Sequence, residues 1–278
     1  LVYWIPGAIS AKLIAMSAQS TNPEGRDFTI RSVKTITASE RTGVADTVLG
    51  VALTFVAGAI NAGGLLAVGQ YTSHMSGIIS AMADNTALGS LSLVGLGLAA
   101  FLPFVLGAAC SAMLINWGRR QHLGSRYAMP LMLEAFLLLA FGILGWLAHS
   151  SPGFVAIAIP LLCFMMGLQN ATVTKISGAR MRTTHVTGIV TDIGIELGKL
   201  LYWNRNPRNP DRILADRGKL RLLVLLFASF FIGGVTGAIG FSQFGFLFAL
   251  PFALLLLLLA GPPLAEDASN LIRQIERR

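Results

Sequence analysis

The chain is 278 residues long with a mean hydropathy of +0.68, and only 12% of it is charged, against roughly 25% in an average soluble domain. That composition excludes an ordinary water-soluble enzyme or binding module and points to an all-α, polytopic membrane protein. Its net charge of +8 raises the question of nucleic acid, while Cys110 and Cys163 both lie in apolar runs, so neither a disulfide framework nor a metal centre is expected.

In chain order, residues 1–41 read as a cytoplasmic N-terminal segment. Within it LVYWIPGAISAKLIA (1–15) is too short to cross a bilayer. It reads as an interfacial segment or as an extension upstream of a natural start at Met16; the polar SAQSTNPEGRDFT that follows is no secretory cleavage context. Six apolar spans follow, at about 46–69, 91–117, 128–148, 154–172, 221–241 and 245–264. Residues 265–278 read as a cytoplasmic tail. The 21 Lys and Arg sort by side: five precede span one, three follow span two, ten lie between spans four and five, and three follow span six. The alternate loops hold none, so the positive-inside rule makes both termini cytoplasmic. The basic balance therefore reports orientation and attraction to lipid headgroups rather than nucleic-acid binding.

An internal repeat organises the spans. TSHMSGIIS (72–80) returns as TTHVTGIVT (183–191), with Thr, His, Gly and Ile identical and the other positions conservative. Upstream, FVAGAINA (55–62) matches FMMGLQNA (164–171), and AAF (99–101) pairs with ASF (228–230). Residues 42–148 and 149–264 thus form two repeats of three spans each. An odd number of spans inverts the second copy relative to the first, the layout of transporters whose solute site lies between discontinuous segments of both halves. Each repeat is expected to contain a broken or re-entrant segment, with Ser76 and Thr187 as N-caps of short helices. Such N-termini would aim partial positive charge at the protein centre.

The candidate solute-binding residues are Asn61, Thr72, His74 and Ser76, with their counterparts Asn170, Thr183, His185 and Thr187. Histidine suits proton coupling, or it can pin a helix break through a backbone hydrogen bond. The two asparagines suit hydrogen bonds to the facing repeat. Three carboxylates are proton-coupling candidates. Glu134 lies inside an apolar span, where a carboxylate is costly, although a snorkelled pairing with Arg119, Arg120 or Arg126 would also account for it. Asp192 and Glu196 share a helix face with Lys199, as a proton path or as a solvated face. Met165 and Met166 read as packing, as do Gly233 and Gly237 of GGVTGA. No metal or cofactor is expected.

FVAGAINAGG with TSHMSG, and MGLQNATVTKISGARMRTTHVTG with IVTDIGIELGKLLYWNR, resemble the YoaK-type family of bacterial multipass membrane proteins over roughly residues 42–264. The resemblance implies an inner-membrane protein of about six helices and a small-molecule transport role, and it supplies no catalytic residues. Members of that family often carry Asp where this chain has Asn61 and Asn where it has Ile78.

The leading expectation is a secondary transporter or facilitator of a small polar solute, anions included. The alternatives are a non-transporting subunit or assembly factor of a membrane complex and, last, an intramembrane enzyme. The last lacks a Gly-x-Ser-x-Gly context and any assured nucleophile–base contact. The expected partners are the solute and membrane lipids, with homo-oligomerisation or a membrane-complex partner open.

Overall fold

In lipid a backbone has no water to bond, so an apolar run must satisfy its own N–H and C=O groups as a helix. The computed structural model describes residues 43–151, 153–204 and 212–276, and among these every regular element is helical. They are α1 (Gly43–Val68), α2 (Met75–Ala87), α3 (Leu91–Arg120), α4 (Ala128–Ala148) and α5 (Phe154–Ile176). Then come α6 (Val186–Leu201), α7 (Arg217–Phe244), a 3-10 turn (Gly245–Phe248) and α8 (Ala249–Glu276). The expectations for residues 1–41 fall outside the described residues.

Five continuous stretches are long and apolar enough to cross a bilayer. The last, Arg217–Arg273, has 57 residues, and as one straight rod it would reach about 85 Å, more than twice a hydrocarbon core of about 30 Å. It breaks at Gly245, whose φ of 62° is open to glycine and strained for other residues. Beyond the break Phe252 packs on Phe55 in the middle of α1, ring centroids 6.1 Å apart, so the chain has turned back. With α7 and α8 counted separately there are six crossings, as expected from the sequence.

α1 and α7 run parallel, in step every four residues. Ser229 Oγ donates to the Val51 carbonyl (2.8 Å), Gly233 lies on the carbonyl of Phe55, Gly237 on that of Ala59, and Gly63 on the ring of Phe241. α3 and α5 pair in the same way, with Gly107 on the Phe164 carbonyl, Gly167 on that of Phe104, and the Ser111 and Thr172 hydroxyls 2.8 Å apart. Each of these four helices carries a Phe-x-x-Gly: 55–58, 104–107, 164–167 and 230–233. In both pairs each glycine abuts the carbonyl of the partner's Phe, since Gly58 lies on Phe230 as Gly233 does on Phe55. Without a hydrophobic force between helices in lipid, such close backbone approach supplies the association.

These contacts correct one pairing read from the sequence. Phe230 corresponds to Phe104, not to Phe101 of AAF, because the contact is decided by the glycine three residues on, and Phe101 has none. α4 and α8 are antiparallel, with Gly142 close to the Phe246 carbonyl and, at the far end, Ser125 N donating to Asp267 Oδ2 (2.8 Å). α8 continues past its apolar stretch, through Pro262 and Pro263 to Glu276, and Asp267 ties it to the loop before α4. Met165, Met166 and Cys163 are fully buried among Leu53, Leu131, Leu138 and Leu162. Lys175 Nζ bonds Asn116 Oδ1 (3.3 Å), Lys219 pairs with Asp192 (3.4 Å), and Gly50 of α1 meets Met181 just past α5. The basic loops therefore gather at one end of the bundle.

Candidate functional site

The chain leaves α1 at Val68 and doubles back alongside it. Thr72 settles against Gly64, and Ser73 donates to Asn61 Oδ1 from its N–H (3.3 Å) and its hydroxyl (2.8 Å). After α5 the same happens: Asn170 Oδ1 accepts from Thr183 Oγ1 (3.2 Å) and Thr184 N (3.4 Å), while Asn170 Nδ2 donates to Thr184 Oγ1 (2.7 Å). Each asparagine thus ties down the phrase of its own half rather than the facing half. The reason is reach, since a folded-back segment brings polar backbone to a side chain only two bonds long.

The short helices begin two residues earlier than expected. His74 (φ −87°, ψ 64°) and His185 (φ −85°, ψ 59°) stand ahead of α2 and α6 in the same non-helical conformation, and no side chain caps either helix. Ser76 and Thr187 are already inside the first turn, so their hydroxyls lie beside the free N–H groups and not ahead of them. Each imidazole instead folds over the glycine three residues on, His74 on Gly77 and His185 on Gly188, where a Cβ would collide with the ring. This packing is the physical content of His-x-x-Gly.

Both phrases open onto one cavity of about 780 Å³. Fourteen of its fifteen lining residues form seven equivalent pairs: Asn61/Asn170, Tyr71/Arg182, Ser73/Thr184, His74/His185, Met75/Val186, Ser76/Thr187 and Phe104/Phe230; Thr174 is the fifteenth. Phe104 and Phe230 sit near the midpoints of α3 and α7. α1 and α5 run antiparallel, Gly64 against Leu162, so Asn61 and Asn170 are about five residues apart in level, about 8 Å at 1.5 Å per residue. A second cavity of about 490 Å³ shares Arg182, His185 and Thr187 and continues to Arg180 and Asp192 at the basic end.

Of the sequence candidates, Asn61, His74, Ser76, Asn170, His185 and Thr187 line the central cavity, whereas Thr72 and Thr183 are buried behind it. Tyr71, Arg182, Phe104 and Phe230 line it without having been singled out. Tyr71 and Arg182 occupy the position just before the repeated Thr, and the two phenylalanines head a Phe-x-x-Gly; both signals are in the sequence once the repeat is aligned.

The carboxylates stand elsewhere. Glu134 is buried between α4 and α5, where its Oε1 accepts from Gln169 Nε2 (2.8 Å), in place of the expected arginine partner. Its Oε2 and Gln169 Oε1 have no hydrogen-bond partner among the described residues. Glu196 is also buried, not on a solvated face: Lys199 (2.9 Å) and the N–H of Asp216 (2.9 Å) donate to it, with Lys219 at 3.9 Å. The Lys199 bond first, and the Asp216 N–H after it, hold its carboxyl below the usual range. It clamps α6 to the start of α7. Asp192 faces the second cavity beside Lys219. Among the described residues no group of three His, Cys, Asp or Glu side chains is placed to hold a metal.

The family model described as protein of unknown function (DUF1275) matches residues 49–261. The UPF0700 transmembrane protein YoaK of Bacillus subtilis (strain 168) is 24% identical over 195 residues, covering 69% of this chain and 82% of that protein. No solved structure matches. The matched region contains both phrases and the whole central cavity.

Proposed function

The chain belongs to the DUF1275 family of multipass membrane proteins, and from that premise we propose that it is a secondary transporter or facilitator for a small polar solute, working by alternating access. The observation that carries the reading is the wall of the central cavity, built almost entirely from equivalent residues of the two halves. On this reading residues 42–148 and 149–264 are inverted repeats that exchange conformations around a fixed site. The reciprocal Phe-x-x-Gly crossings, α1 with α7 and α5 with α3, are the joints about which the halves move.

By the positive-inside rule the basic end is cytoplasmic, as expected of an inner-membrane protein with both termini inside. The second cavity, which shares Arg182, His185 and Thr187 with the central one, runs to that end, which supports it as the solute's path on the cytoplasmic side. On this reading the imidazoles are solute contacts and helix-break supports, since each lines the cavity and covers the glycine beneath it. The partners are the solute and the surrounding lipid; no nucleic acid takes part.

The test is counterflow in proteoliposomes with a panel of organic acids, their amides and nucleobases. His74→Ala and His185→Ala are each expected to lower flux at least tenfold, the scale of losing one good polar contact at a solute. No flux of any solute from folded protein would count against transport, and unchanged flux in both variants would move the site elsewhere.

A further inference from the structure

The central cavity is symmetric in shape and asymmetric in charge. Among the described residues that line it, Arg182 is the only Lys, Arg, Asp or Glu, and the equivalent position in the other half is Tyr71. Among the described residues no carboxylate lines this cavity. The second cavity, which shares Arg182, carries Asp192, and that acid lies beside Lys219 at 3.4 Å. Arg182 Nη1 lies 3.4 Å from His185 Nδ1; a guanidinium has five donors and no acceptor, so this contact uses one donor and leaves the fork free. The first turns of α2 and α6, carrying Ser76 and Thr187, open on the same space, and their free N–H groups add positive potential at both ends. A cation without a counter-charge in a half-enclosed site is an anion receptor.

We propose that the solute is a small organic monocarboxylate, its carboxylate held by Arg182 and its uncharged end by Tyr71. Phe104 and Phe230, one from each half, give the walls between these ends an aromatic, apolar character, suited to a planar or hydrocarbon body. A dianion would leave its second charge at the Tyr71 end, where it meets only the partial positive charge of the α2 N-terminus and no lining side-chain cation among the described residues. A neutral polar solute would leave the guanidinium without an ionic partner. The inference deepens the transport reading and rests on it for the cavity being a solute site.

The test uses purified full-length protein and two matched pairs of probes, nicotinate with nicotinamide and phenylacetate with phenylacetamide. Binding is measured calorimetrically in neutral detergent, and exchange by counterflow in liposomes with and without anionic phospholipid. The acids are expected to bind at least about tenfold more tightly than the amides, as one charge-assisted hydrogen bond allows. That preference should vanish in R182Q, with the fold checked by melting, and return in the double variant Y71R/R182Y, which moves the cation to the equivalent position. Equal binding of acids and amides, an acid preference that survives R182Q, or loss of acid binding whenever anionic lipid is present overturns the inference, the last by assigning the receptor to a lipid headgroup. Tight acid binding without counterflow upholds the anion site and sinks transport; counterflow of amides alone does the reverse.

Discussion

Gly233 and Gly234 are neighbours in α7 with opposite fates. A Cβ at Gly233 would strike the carbonyl of Phe55, whereas at Gly234 its nearest contact is the Gly58 carbonyl at 3.8 Å, ordinary van der Waals distance. Gly→Ala within a helix gains about 1 kcal/mol from propensity, so Gly234→Ala should stabilise by up to that amount. At Gly233 the obstacle is backbone and cannot rotate aside; α1 and α7 must part by on the order of 1 Å, which forfeits a quarter to a half of the dispersion along the contact. Overpacking of this kind costs about 1–3 kcal/mol, and at the upper end, less the propensity gain, the net loss is about 2 kcal/mol. Unfolding in mild detergent can be followed by a thiol-reactive dye, since Cys163 is a free, fully buried cysteine. Gly107→Ala, whose Cβ would meet the Phe164 carbonyl, should reproduce the Gly233→Ala loss. If Gly233→Ala unfolds at or above the wild-type midpoint, or Gly234→Ala falls as far, the close crossing is wrong.

Three further outcomes are expected. Glu134→Gln supplies an N–H for the orphaned Gln169 Oε1 and should hold or raise stability, while Glu134→Ala strands the buried Gln169 at a cost of about 1–3 kcal/mol; chemical denaturation of both variants decides, and a Gln variant weaker than the Ala variant contradicts the pairing. Asn170→Ala removes the tether of residues 183 and 184 and should speed amide exchange across 177–186 while leaving α4 and α8 unchanged; equal protection in both proteins argues against it. Glu196 is the pH-sensitive clamp. Its folded carboxyl titrates below the usual range, so its stabilisation is whole above the unfolded carboxylate pKa of about 4.3 and is lost as pH falls through the lower folded value. Melting scanned downward from pH 6 should show an acid-side loss that Glu196→Gln lacks, and identical acid profiles would exclude the clamp.

Much of this was legible from local signals. Hydropathy marks the six crossings because lipid demands about 20 apolar residues for each. The phrases around His74 and His185 mark the breaks, because a polar cluster in an apolar chain is expensive unless it does something. The N-caps were misassigned because a hydroxyl followed by Gly and an apolar run is the usual start signal, and nothing local says that an imidazole will occupy the space above that Gly. Glu134 reads in the sequence as a proton-coupling candidate or as the partner of a nearby arginine, while the partner it has, Gln169, is 35 positions away. Phe101 was chosen over Phe104 because pairing by letters does not weigh which glycine meets a carbonyl.

By itself the sequence determined the apolar solvent, the number of long apolar helices and the duplicated His-x-x-Gly breaks, since each follows from composition or spacing along one segment. Only the tertiary structure decided that both breaks face one cavity, that Arg182 and Tyr71 both line it, and that Thr72 and Thr183 lie behind its wall. Those facts depend on where helices cross and which way a segment folds back, and helix crossings are settled by contacts far apart in the chain, 61 positions for Ser111 and Thr172 and 178 for Val51 and Ser229.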